Sequence, residues 1–279
     1  MMKIAVLADN QIQNQYLENE HGLCIYVETE QYKCLLDTGA SDCFIRNAEK
    51  LKINLKEVDF VFISHGHSDH TGGLPAFMEM NTQAKVILSK NVLLQKFYSK
   101  RNGWRDLSIN EKISEYTDRL VFVENEMVFR NEIYVVNVKQ NKYPFPKANE
   151  ILYKSDGQLM QPDDFNHELS IIFGTKDLLV YTGCAHKGLL NILETVDSLN
   201  IGKAKTVIGG FHLPDRNPEF SFETNEELKL ICDEIVKRYP STRFLTGHCT
   251  GGKAYQQLKI HLKGQINQFF TGYFADFDL

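Results

Sequence analysis

Residues 64–70 read Ser-His-Gly-His-Ser-Asp-His, so three histidines and an aspartate fall within six positions. The apolar run 59–64, "DFVFIS", leads straight into them and "TGGLPAF" follows. No other stretch constrains the chain as much, because any fold that accepts it must bring four ligating side chains to one place. His65 and His67 flank Gly66. Two residues apart on an extended or turning backbone, both can point to one side, and Gly66 supplies the backbone freedom to turn. Asp69 and His70 follow where a helix before Leu74 is expected to begin. Imidazoles and a carboxylate so arranged suit Zn²⁺, Mn²⁺ or Fe²⁺. A single histidine is more often a structural group; four candidate ligands at the end of one strand point to a metal site.

Short apolar runs elsewhere read as strands: 3–8, 23–29, 32–36, 59–64, 85–89, 132–138, 168–173, 177–182, 204–209, 242–246 and 266–270. Helical patterns lie between some of them. In 225–239, Leu228, Ile231, Ile235 and Tyr239 form one apolar face. Thr224 precedes them with Glu227 three residues on, the pattern of a capping box. Residues 187–199, 73–80 and 251–263 are further helix candidates. The strand-rich first third and the alternating last third predict an α/β chain with two sheets packed face to face and helices outside, a four-layer αββα sandwich. The whole chain, 1–279, reads as a single domain. Residues 97–165 hold "KFYSKRNGWRD" and "NKYPFPKANE" with few clear elements, and read as an insertion that shapes or covers a site. Arg101, Trp104, Arg105, Tyr143 and Lys147 in it are candidates to contact a phosphate or stack on a ring.

Composition excludes more than it selects. Hydrophobic residues make up 43% and charged residues 24%, ordinary for a globular protein. A net charge of −5 without a basic cluster argues against a nucleic-acid partner. No stretch approaches the roughly 18 apolar residues of a membrane span, and the start is too short for a signal-peptide core. The six cysteines show no C-x-x-C pair, so reduced thiols in a cytoplasmic protein are expected. "IGGFHL", 208–213, repeats a strand, two glycines and a histidine. The glycines let the backbone approach a substrate closely, and His212 is placed to bind a substrate phosphate or act as general acid.

The stretch at 65–70 resembles the H-x-H-x-D-H signature of the metallo-β-lactamase superfamily. "LLDTG" (35–39), "YTGCAHKG" (181–188) and "LTGHCTGG" (245–252) resemble its other motifs in the right order. With "EHGL" near the N-terminus, "GCAHKGLLNIL" and "GGFHL", the chain is similar to the dihydropterin branch of that superfamily. Its namesake is a synthase of methanopterin biosynthesis. The resemblance implies the αββα sandwich with a site along one edge, between the sheets. It implies His65 and His67 for a first metal, and Asp69, His70 and His248 for a second, with Asp37 supporting the site. Where the wider superfamily carries a bridging aspartate, this chain has Cys184, either a thiolate ligand or a small packed residue. His186, two residues on, is then the expected ligand, ahead of His167. His21 and His212 would contact substrate.

These readings imply one or two divalent ions, zinc first, with manganese or iron as alternatives. A metal with an open position lowers the pKa of bound water toward about 7 and presents hydroxide at neutral pH. Asp69 would orient metal and hydroxide, and His212 would serve the leaving side. The expected activity is therefore hydrolysis of a small phosphorylated or phosphodiester substrate. Two alternatives stand beside it: the diphosphate-releasing condensation of a dihydropterin with an aminobenzene ribotide, and a non-enzymatic protein that holds metal for structure or sensing.

Overall fold

A computed structural model describes residues 1–101, 103–215 and 222–278. Its first sheet contains β1 (Met2–Ala8), β2 (Cys24–Glu28), β3 (Lys33–Leu36), β4 (Phe60–Phe62), β5 (Lys85–Ser89), β8 (Leu120–Val123) and β18 (Phe274–Phe277), ordered β18-β1-β2-β3-β4-β5-β8. Pairing is antiparallel from β18 to β3 and parallel from β3 to β8. The second sheet contains β9 (Glu126–Phe129), β10 (Ile133–Asn137), β13 (Leu169–Phe173), β14 (Asp177–Tyr181), β15 (Lys203–Gly209), β16 (Arg243–Thr246) and β17 (Ile266–Gln268). It is ordered β17-β16-β15-β14-β13-β10-β9, parallel from β17 to β14 and antiparallel beyond. Each sheet thus has one parallel half, and the carboxyl ends of those halves meet at one edge.

The strands 24–28, 33–36 and 177–181 are almost wholly buried, as strands covered on both faces must be. Three apolar layers result. Val27, Phe62, Ile171 and Phe173 pack between the sheets. Phe44, Phe77 and Met78, from α1 (Cys43–Lys50) and α3 (Leu74–Met80), cover the first sheet. The second sheet is covered from α5 (Leu189–Ser198), α6 (Asn225–Arg238) and α7 (Gly252–Leu262), through Leu193, Ile235 and Leu258. This is the αββα sandwich expected. The capping box at Thr224 and Glu227 is formed, with both reciprocal hydrogen bonds in place.

Residues 97–165 do not behave as one insertion. Leu120–Val123 joins the edge of the first sheet and Glu126–Asn137 supplies two strands to the second. What stands outside the sandwich is a small antiparallel sheet, β12-β11-β6-β7, of β6 (Lys96–Ser99), β7 (Arg105–Asp106), β11 (Leu152–Ser155) and β12 (Met160–Pro162). Its strands are too short and polar to show a period-2 signal; partners on the neighbouring strands hold them, not their own pattern. The remaining helices are α2 (Ser68–Thr71) and α4 (Asn91–Leu94). Among the described residues no helix is long and apolar enough to cross a membrane.

Candidate metal centre

Each candidate ligand leaves the carboxyl end of a parallel strand, where α/β sheets open their crevices. β4 delivers His65 and His67, and α2 begins one residue later with Asp69 and His70 in its single turn. β14 delivers Cys184 and His186, β15 delivers His212, and β16 delivers His248. The turns are sharp. Asp37, Phe165, Ala185, His212 and His248 all have positive φ, between 47° and 59°. Non-glycine residues hold that region at a cost of order 1–3 kcal/mol each, and such strain gathers at functional sites. Gly183 shares it at φ +58°, and a Cβ there would lie 2.3 Å from Ser64 Oγ. Gly66 does not: its φ is negative, and it is small because the Phe97 ring would lie 2.3 Å from a Cβ. The expected role in turning is corrected to one of close packing.

The imidazoles converge in pairs. His65 Nε2 lies 3.3 Å from His186 Nε2, and His70 Nε2 lies 3.0 Å from His248 Nε2. The opposite nitrogen of every one of these rings is engaged. His65 Nδ1 donates to Ser64 Oγ at 2.9 Å, and Ser64 Oγ in turn donates to Asp37 Oδ2 at 2.6 Å. His70 Nδ1 donates to the same carboxylate oxygen at 2.6 Å. His186 and His248 are held by a repeated device. Asn149 Nδ2 donates to the His186 carbonyl at 2.7 Å, which aims its Oδ1 at His186 Nδ1, 3.1 Å away. Asn10 treats His248 in the same way, at 3.0 and 3.1 Å. With a proton on Nδ1, each ring in its neutral form turns an Nε2 lone pair inward. Two facing lone pairs need a proton or a cation between them. His67 Nε2 is buried with no hydrogen-bond partner. This donor set fits a divalent metal.

Ligand atoms of His65, His67 and His186 lie within 4.8 Å of one another, as do those of His65, His70 and Cys184 and those of His21, Asp69 and His248. Cys184 Sγ lies 3.2 Å from His70 Nε2. It therefore stands between the two histidine pairs, and burial pushes its thiol well above the ordinary range. Burial, reinforced by neighbouring imidazoles, holds His65 and His186 well below the usual histidine range and His67 down to about 3. Burial acts upward on Asp69, but His70, His248 and His21 outweigh it and hold its carboxyl well below the usual value. Burial acts to lower His248; its Asp69 hydrogen bond, with Cys249 and Asp9 close by, overrides this and lifts it to about 9.

The structure removes His167 from the ligand candidates. Its Nδ1 accepts the Gly66 N–H at 3.0 Å and its Nε2 donates to Asp163 at 3.0 Å, so both nitrogens are engaged. His21 lies at the rim, its ring stacked on His248 at 5.4 Å. It accepts from Asn10 on Nδ1, which leaves its Nε2–H facing Asp69 at 3.4 Å as a donor. His212 packs against His186, ring centroids 4.1 Å apart, with both ring nitrogens buried and unpartnered. These side chains floor a cleft of about 680 Å³, whose walls include Asn10, Arg101, Arg105 and Phe222. Tyr143 and Lys147 are elsewhere. Tyr143 meets Glu234 and Arg238, and Lys147 pairs with Glu227, so both tie a strap to α6.

Sequence reasoning found Asp37 but missed Asn10, Asn149, Ser64, Tyr181 and Cys249. Asn10 follows the first strand beside Asp9, a polar pair after an apolar run, which was a usable signal. Asn149 lies in an irregular segment and carries none.

Residues 18–135 match the model of the metallo-β-lactamase superfamily. Together with the sandwich and its histidine-lined edge, this match gives the chain the fold of the metallo-β-lactamase superfamily. The chain is similar to the 7,8-dihydropterin-6-methyl-4-(β-D-ribofuranosyl)-aminobenzene-5′-phosphate synthase of Methanocaldococcus jannaschii. The two are 28% identical, over 97% of this chain and 95% of the synthase. An uncharacterized protein of the same organism, MJ0448, is also 28% identical over 97% of both chains. The crystal structure of Tm1679, a metal-dependent hydrolase of the β-lactamase superfamily, superposes with a TM-score of 0.82 at 28% identity, over 99% of both chains.

Proposed function

We propose that the chain is a metal-dependent hydrolase of a small phosphorylated or phosphodiester substrate. His65, His67 and His186 hold one divalent ion; Asp69, His70 and His248 hold a second, with Cys184 within reach of both. One observation carries this reading: four histidines present Nε2 face to face while fixed partners engage their Nδ1 atoms. Zinc matches the nitrogen and sulfur donors best. A divalent ion there supplies a Lewis acid and an activated water. Asp69 orients what binds between the histidine sets, because His248 and His21 both approach its Oδ2, each at 3.4 Å. His212 has a free ring nitrogen to carry a proton to the leaving oxygen. Phe165, stacked 4.5 Å from the His186 ring, keeps bulk water from that side.

Metal analysis of purified protein, followed by turnover of bis(p-nitrophenyl) phosphate, tests the reading. One or two equivalents of metal and an activity lost in His67→Ala are expected. No turnover across an ester and phosphodiester panel by metal-loaded protein would count against it. The near full-length similarity to the M. jannaschii synthase favours a second reading, condensation of a dihydropterin diphosphate with an aminobenzene ribotide. Diphosphate release that requires both substrates would select it over hydrolysis.

A further inference from the structure

The sulfurs of Cys184 and Cys249 meet although their strands do not touch. β14 and β16 flank β15, so they run about 10 Å apart. Each cysteine lies three residues beyond its strand, directly after a residue in the left-handed region, Gly183 at φ +58° and His248 at φ +51°. The two turns close toward each other over the end of β15. Cys184 Sγ, Cys249 Sγ and a ring nitrogen of His248 all lie within 4.8 Å of one another.

The end of β15 is built to admit this contact. A Cβ on Gly210 would lie 2.3 Å from Cys249 Sγ, so the second glycine of "IGGFHL" makes room for a sulfur rather than for substrate. Gly210 N–H donates to the Gly183 carbonyl at 2.7 Å, and Phe211 N–H donates to Thr250 Oγ1 at 3.0 Å. Both turns are thereby pinned to the same segment. The Cys249 sulfur accepts the His212 N–H at 3.2 Å, and its S–H donates toward the Cys184 carbonyl, 3.7 Å away.

Access favours this pair over the other thiols. All six cysteines are free; five are buried and Cys249 alone is half-buried. Cys249 and Cys184 both line the cleft. A small oxidant entering the cleft therefore meets one thiol with a second beside it. A disulfide holds its sulfurs about 2 Å apart, which leaves the two turns only a short closure to make.

We propose that Cys184 and Cys249 are a redox modification site, joined into a disulfide by hydrogen peroxide and reopened by a dithiol. The Cys249 sulfur attacks one peroxide oxygen, the O–O bond breaks, and water leaves with the thiol proton, giving a sulfenic acid. The Cys184 sulfur then attacks the Cys249 sulfur, the S–O bond breaks, and hydroxide leaves as water with the Cys184 proton. Two thiols give up two electrons and peroxide is reduced to two waters. The disulfide withdraws the Cys184 sulfur from its place 3.2 Å from His70 Nε2, between the histidine pairs. That consequence rests on the proposed metal centre; the disulfide itself does not.

The full chain, freed of metal by a chelator, is treated with hydrogen peroxide, unfolded in iodoacetamide and read by mass spectrometry without reduction. Four alkylated cysteines instead of six are expected, with one cross-linked peptide pair carrying Cys184 and Cys249 that dithiothreitol separates. Cys249→Ser should abolish the cross-link, and Cys232→Ser should leave it. Six alkylated cysteines, a cross-link through another cysteine, or sulfinic acid at Cys249 without a cross-link overturns the site. Chelator-competition titration then compares oxidised with reduced protein, and affinity for one ion should fall about tenfold or more. Equal affinities in fully cross-linked protein overturn the effect on the centre. A protein that binds no metal in either state defeats the proposed function, while the peptide map decides the disulfide by itself.

Discussion

Asp37→Asn is the sharpest perturbation of the candidate centre. The carboxylate is fully buried and accepts from four donors: Ser64 N–H at 2.7 Å on Oδ1, and Ser64 Oγ–H, His70 Nδ1–H and Tyr181 O–H on Oδ2, at 2.6, 2.6 and 2.5 Å. Its φ of +59° is one asparagine tolerates well, so the change leaves the backbone alone and alters one oxygen. If the amide keeps its oxygen toward the three side-chain donors, its NH₂ meets the Ser64 N–H, and one buried donor goes unpaired. If it flips, the NH₂ faces His70, which must move its proton to Nε2 and lose the lone pair it presents to His248. The first outcome costs about 1–3 kcal/mol of stability, roughly 2–12 °C in Tm for a chain this size. The second weakens metal binding about 10- to 100-fold, as loss of a ligand's outer partner does. Thermal melts of metal-free protein and chelator-competition titrations of loaded protein measure the two separately. Wild-type behaviour in both would show that Asp37 does not set the His70 proton, and the tautomer reasoning would fail with it.

Asn149→Leu should free the His186 ring, lowering affinity for one ion about 10- to 100-fold while far-ultraviolet circular dichroism stays unchanged; the chelator titration reads it. In cobalt-loaded protein a thiolate ligand gives a sulfur-to-metal charge-transfer band, so Cys184→Ser should abolish that band; a spectrum identical to wild type removes Cys184 from the ligand set. Gly66→Ala forces a methyl into the Phe97 ring and should destabilise by about 1–3 kcal/mol, seen in urea unfolding. The His248 pKa, raised to about 9 in the folded metal-free protein against 6.5 for an ordinary histidine, carries a definite sign. Its stabilisation is fully present below pH 6.5 and is lost as pH rises through about 9. It is worth up to about 3 kcal/mol. Melts of chelated protein should therefore fall between pH 6.5 and 9, and Asp69→Asn should flatten that slope.

Much of this centre was legible because its ligands cluster in sequence and follow apolar runs. Each strand predicted from such a run forms, since a buried parallel strand advertises itself by hydrophobicity alone. The small sheet was not legible: Arg105–Asp106 and Met160–Pro162 are exposed at every residue and have no buried face to pattern. α1 escaped notice because its apolar face, Cys43, Phe44 and Ala48, is short and mixed with charge. His167 looked like a ligand because sequence shows a residue type but not which nitrogen is already engaged. Only coordinates reveal that Gly66 and Asp163 occupy both. The asparagine clamps were hidden for the same reason, as each acts on a histidine 37 or 238 positions away.

The facing histidine pairs have a mechanical consequence. His65 and His70 belong to the first sheet's edge, while His186 and His248 belong to the second's, 121 and 178 residues further along the chain. An ion between either pair would rivet one half of the sandwich to the other at the carboxyl edge of the parallel strands. Pulling the sheets apart must first strip a metal. At free metal a hundredfold above its dissociation constant, that adds about 2.7 kcal/mol to unfolding per ion. A chelator would then act on this molecule as a denaturant acts on others, loosening the seam before either sheet has lost a strand.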